Sequence, residues 1–144
     1  MKMLRHSLKA FLLPIFATLM LLPACKGNSQ GVTDLTLDGK IDNIPIIMEI
    51  SVWGHGTNII GGFYYYKKNG PKNTLELSED QNQQQGGGEK PILQESDKDG
   101  KITGTFYAQF WDGEVMHGTW IRSRDGKQLP FSLKVVKRHW HYIE

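Results

Sequence analysis

The residues of this chain that could do chemistry are few and scattered. There is one cysteine, Cys25, which excludes an internal disulfide framework and any zinc site built on several thiolates. The histidines are His6, His55, His117, His139 and His141. His139 and His141 stand two apart, so both lie on one side of an extended chain. Such a pair can hold a metal, with His55 or His117 adding a ligand, but any solvated terminal strand gives the same alternation, and no metal or cofactor is expected. Asp97-Lys98-Asp99-Gly100 matches part of a calcium loop, yet the distal Glu is missing and a hairpin turn accounts for it. Ser51, Ser78, Ser96, Ser123 and Ser132 stand in no nucleophile elbow. Glu49, Glu95 and Glu114 could in principle supply paired carboxylates but have no diagnostic setting. No catalytic residue is assigned, and the chain is not expected to be an enzyme. Tyr65, Tyr107, Trp111 and Trp140 fall on outer faces or turns of the strands read below, and form the candidate ligand or partner surface. Tyr64 and Trp120 fall on inward faces.

The N-terminus gives the clearest chemistry. Met1–Lys9 carries Lys2, Arg5 and Lys9 and no acid, and Ala10–Leu22, AFLLPIFATLMLL, is continuously apolar. A basic segment before an apolar run of this length is a secretory signal, too short for an ordinary spanning helix. Leu22-Pro23-Ala24-Cys25 then resembles the bacterial lipobox, with Pro23 departing from its usual small or hydroxyl residue. The resemblance implies lipid transfer to the Cys25 sulfur, cleavage after residue 24 and acylation of the new amino group. Two or three acyl chains would anchor the protein firmly to a membrane. Lys26, where Asp would signal retention, implies the outer membrane. The expected organisation is a signal peptide over 1–24, lipidated Cys25 with a flexible polar tether over 25–34, and one β domain over 35–144.

Composition agrees with one modest globular domain: 144 residues, 39% hydrophobic and 10% aromatic. Of the 17 basic residues, Lys2, Arg5 and Lys9 leave with the signal, so 14 face 15 acidic residues and the mature charge is about −1. That balance argues against a generic nucleic-acid binder.

These features sit on strands. Ile46, Met48, Ile50 and Val52 alternate within Asn43–Trp53, and Leu129, Phe131, Leu133 and Val135 within Leu129–Val136. Further strands are read over Leu35–Ile41, with an Asp38-Gly39 turn, and over Ile59–Lys67, Thr74–Ser78 and Pro91–Glu95. Glu79–Lys90 is a polar loop whose three glycines lack the lysine and hydroxyl of a phosphate cradle. Lys137–Glu144 is a basic aromatic tail. Lys101–Arg122 reads as a hairpin. A two-residue turn at Asp112-Gly113 would pair Phe110 with Val115. A three-residue loop, Trp111-Asp112-Gly113, pairs Phe110 with Glu114, and is preferred because it gathers Ile102, Phe106, Phe110, Met116 and Trp120 on one face, with Gly104 opposite Trp120. Glycines inside strands mark bends or close backbone approach. The expected fold is all-β: an antiparallel meander of about eight strands, as a small barrel or a sandwich.

Thr103-Gly104-Thr105-Phe106, Gly118-Thr119-Trp120 and Pro130-Phe131-Ser132-Leu133 resemble segments of uncharacterised small bacterial lipoproteins and envelope proteins, a resemblance that implies no activity. The Thr-Gly-Thr-aromatic strand is also similar to avidin-like barrels, without that family's polar ligand set. The function expected is therefore a membrane-anchored, non-enzymatic β domain that binds an envelope partner or has a structural role. The alternatives are a small barrel carrying an apolar or aromatic ligand, and an enzyme inhibitor.

Overall fold

A computed structural model describes residues 30–80 and 90–143. Cys25, the signal peptide, the first residues of the tether and most of the Glu79–Lys90 loop lie outside the described residues. The described chain forms eight strands: β1 Gly31–Ile41, β2 Ile44–Trp53, β3 Ile59–Tyr66, β4 Leu75–Glu79, β5 Ile92–Ser96, β6 Ile102–Trp111, β7 Val115–Arg122 and β8 Gln128–Tyr142. Each pairs antiparallel with the next, and β8 pairs with β1, so the sheet closes into a barrel in meander order. Closure pairs the first described strand with the last, so neither is a free edge strand.

Alternation places the core. Ile46, Met48, Ile50 and Val52 of β2 are all buried, as are Phe131 and Leu133 of β8. Tyr64, Phe106 and Phe131 fill the barrel axis. Tyr64 meets Phe106, and Phe106 meets Phe131, edge to face at 5.1 Å between ring centroids. That geometry suits aromatic quadrupoles and leaves a filled interior rather than an open lumen.

Glycine lets the strands approach closely. A Cβ on Gly39 would stand 1.9 Å from the Ser132 carbonyl oxygen, and one on Gly118 would stand 2.0 Å from that of Tyr107. Gly39 therefore belongs inside β1 and not to a turn. The chain reverses four residues after Asp38-Gly39, at Asp42-Asn43, where Asp42 takes φ +52°. The Asp-Gly pair imitated a turn signal that the close contact with β8 overrides. Strand β1 also begins at Gly31, so Gly31–Asp34, expected in the tether, are strand. Their partner is the C-terminal tail, with Thr33 opposite Trp140 and Asp34 opposite His139.

The β6–β7 hairpin takes neither register read from the sequence. Its loop is Asp112-Gly113-Glu114, with Gly113 at φ +91°. Asp112 Oδ1 accepts the N–H groups of Glu114 and Val115, both at 2.9 Å. Those N–H dipoles, Val115 first, hold the Asp112 carboxyl below the usual carboxylate range. A bulge at Gln109 then separates the pairs Ala108–Gly118 and Phe110–His117. One extra residue flips everything beyond it. Phe106, Met116 and Trp120 stay inside as expected, but Phe110 turns outward and Trp111 turns in. Ile102 is also exposed, and Trp120 lies opposite Phe106, not Gly104.

Candidate functional site

The four aromatic residues proposed as a surface do not converge. Trp111 is 3% exposed, and its indole N–H donates to the Thr57 carbonyl at 2.8 Å, so it is a core residue. The Gln109 bulge causes this inversion. Tyr65 is half-buried on β3, Tyr107 is exposed on β6, and Trp140 is exposed near the end of β8. These strands lie on different sides of a closed barrel.

The structure instead assembles a polar cluster around Glu95, at the barrel end formed by the β1–β2, β3–β4, β5–β6 and β7–β8 turns. Leu93 and Glu95 share the inward face of β5. Glu95 is therefore carried into the interior, where it is 2% exposed. Its Oε1 accepts the Tyr64 hydroxyl at 2.5 Å and the Trp120 indole N–H at 2.6 Å. Its Oε2 accepts the Thr103 hydroxyl at 2.7 Å. Two local devices make this possible. Glu95 pairs with Gly104 but Ser96 pairs with Ile102, so Thr103 is the extra residue of a bulge. Gly104 also supplies space, since a Cβ there would lie 2.6 Å from the Trp120 indole and 2.9 Å from the Glu95 carboxyl.

A buried carboxylate with neutral donors and no cation among its hydrogen-bond partners is unusual, because desolvating a charge is costly. Neighbouring groups respond. Burial, reinforced by the Glu95 charge, raises the Tyr64 hydroxyl far above its ordinary pKa, so the phenol stays protonated and keeps donating. Burial also raises Tyr66, whose hydroxyl lies 3.5 Å from that of Tyr64.

Over the cluster opens a cavity of about 540 Å³. Glu95 and Trp120 contribute to its lining, with Tyr66, Leu75 and Ile102, and with Lys101, Arg122 and Arg124 bringing positive charge. Arg122 grips Asp125 through Nε at 3.0 Å and Nη2 at 2.6 Å, which holds the Asp125 carboxyl well below its usual range. The volume is that of a small-molecule site, and its mixed lining of apolar walls with a few polar groups is typical of one.

A second concavity, about 450 Å³, runs over the outer face of β8, β1, β2 and β3. Its lining includes Gly61 and Phe63 of β3. Here the Ser51 hydroxyl donates to Asp34 Oδ1 at 2.6 Å, while His141 Nε2 lies 2.9 Å from Asp34 Oδ2. The order is serine, carboxylate, imidazole. A nucleophile needs the imidazole in the middle, so this trio does not activate Ser51. His139 stacks on His141, His55 on Trp140 and His117 on Phe110. Among the described residues no group of three or more His, Cys, Asp or Glu is placed to hold a metal ion.

Sequence reasoning missed the Glu95 cluster although one signal was present. Period two puts Glu95 on the same side as Leu93, so a buried Leu93 implies a buried Glu95. The bulge that adds Thr103 left no comparable trace. Compared with known proteins, the chain matches no family model, no curated protein and no solved structure.

Proposed function

We propose that this chain is a lipid-anchored, non-enzymatic binding module of the bacterial cell envelope, held in the outer membrane through acyl chains on Cys25, whose barrel takes a small amphiphilic ligand at the mouth above Glu95. The observation that carries the binding role is the buried Glu95 carboxylate at an open, partly apolar cavity. The filled axis argues against a ligand enclosed within the barrel, so a carrier role moves to the mouth. Glu95 Oε2 accepts one bond where Oε1 accepts two. It keeps capacity for an N–H or O–H of the ligand. Lys101 and Arg124 suit an anionic group at the ligand's other end. The engagement of Glu95 by three donors suits a fixed acceptor better than a general base, and Ser51 lacks an activating imidazole.

The anchor is tested by fractionation with mass analysis of the Cys25 peptide. Wild-type protein is expected in the outer membrane with acyl mass on Cys25, and the Cys25→Ser chain in the soluble fraction. Unmodified Cys25 in soluble wild-type protein overturns the anchor.

A further inference from the structure

The rim of the barrel opposite the Glu95 mouth carries exposed aromatic and apolar residues where the chain enters, Trp140 and Tyr142 on one side of the sheet and Trp53 and Ile143 on the other. Trp53 is 43% exposed, Trp140 39%, Tyr142 59% and Ile143 44%. These residues lie at the ends of β2 and β8, beside the start of β1. The Gly31 carbonyl accepts the Gly54 N–H at 2.7 Å, and the Gln30 carbonyl accepts the Ile143 N–H at 3.0 Å. Trp140 lies directly on the entering chain, for a Cβ on Gly31 would stand 2.5 Å from its ring. Its other neighbours are Tyr142, at 4.5 Å between centroids, and His55, at 5.6 Å. A buried core gains nothing from these rings, and the Glu95 site lies at the other end.

Chain length says what covers them. Cys25 precedes Gln30 by five residues, and an extended chain of that length reaches at most about 18 Å. Acyl chains on Cys25 therefore hold this end, and not the mouth, close to the bilayer. Trp and Tyr favour the membrane–water interface, where a ring can be apolar on its body and hydrogen-bonded at its edge.

We propose that Trp53, Trp140, Tyr142 and Ile143, on the two sides of the barrel's rim, form a docking end that sits in the headgroup region of the bilayer holding Cys25, with the Glu95 mouth turned away from the membrane. This inference rests on the lipid-anchor reading above. The occupant is the lipid interface itself. A second copy of the chain on the same end is the competing outcome. Docking adds interfacial contact to the acyl anchor and fixes orientation, which a tether alone does not.

The test uses the chain from Cys25 onward, which contains the whole barrel. It is coupled through its single thiol to a maleimide phospholipid in phosphatidylcholine vesicles with brominated acyl chains. Coupling in this way makes the result independent of acylation in the cell. Tryptophan emission is expected to shift to the blue and to be quenched by bromine. The Trp53→Phe, Trp140→Phe double variant loses that quenching, because Trp111 and Trp120 are buried in the barrel. Unquenched, unshifted emission from coupled wild-type protein overturns docking. So does a concentration-dependent dimer that protects Trp53 and Trp140 from aqueous iodide. Failure of the anchor reading shows separately, as an unmodified Cys25 peptide from the native envelope.

Discussion

Replacing Glu95 with alanine is expected to destabilise the barrel by about 3 kcal/mol, because Tyr64, Trp120 and Thr103 all lose their acceptor at once. Two effects oppose each other. Removing a desolvated charge relieves part of its burial cost, while each stranded donor costs roughly 1–3 kcal/mol and the deleted side chain leaves a void. The donors win, since there are several of them and two lie on large rings that cannot turn away. Water entering from the mouth trims the loss. Glu95→Gln keeps an oxygen for Tyr64 and Trp120 and turns an NH₂ toward Thr103, whose hydroxyl can accept instead. Its cost is expected near 1 kcal/mol. Denaturant unfolding of both variants checks the ranking, and thermal midpoints should separate by several degrees, at roughly 4 °C per kcal/mol. Tyr64→Phe combined with Glu95→Ala should be strongly non-additive, because the two groups share one hydrogen bond. An alanine variant within about 0.5 kcal/mol of wild type would mean that the donors find water freely and that the cluster is not a preorganised site.

Gly118→Ala is expected to cost about 3 kcal/mol or more, or to prevent folding. The added methyl would stand 2.0 Å from the Tyr107 carbonyl oxygen and 2.9 Å from the Ala108 Cα, both backbone atoms. A flexible side chain could move aside, but here two strands must separate beside the Gln109 bulge. Gly61→Ala is the matched control. A Cβ there meets the Leu77 carbonyl oxygen at 3.4 Å, an ordinary contact. Ordering a less flexible residue there should be neutral or stabilising by up to ~1 kcal/mol. Urea midpoints of the two variants compare a close backbone approach with a position where a methyl makes only an ordinary contact. Equal losses would show that strand curvature, and not collision, sets the need for glycine.

Much of this fold was legible because period-two alternation is a direct record of which face is buried. Ile46 to Val52 and Leu129 to Val135 marked their strands, and the inward placement of Tyr64 and Trp120 followed. Register was less legible. The bulges at Gln109 and Thr103 each insert one residue without changing the local residue types, so alternation continues with the opposite sense beyond them. That is why Trp111 points inward and Phe110 outward, the reverse of what unbroken alternation predicts. Asp38-Gly39 misled for a related reason: glycine serves both turns and close strand contacts, and only the neighbouring strand decides. The tail past Val136 read as a separate basic segment, yet it is the second half of β8 and completes closure against β1. The Glu95 cluster depends on β3, β5, β6 and β7 together, a convergence that no local pattern encodes.

The binding role is tested most directly by native mass spectrometry of the acylated protein, extracted gently from its own envelope, beside an Ile102→Asp variant. Ile102 is 46% exposed on the wall of the mouth, so the substitution alters the site without entering the core. Wild-type protein is expected to carry a dissociable small-molecule mass that the variant lacks, at equal acylation of Cys25. Bare acylated protein in both samples would contradict the binding role and leave Glu95 as a structural fastening of the barrel alone.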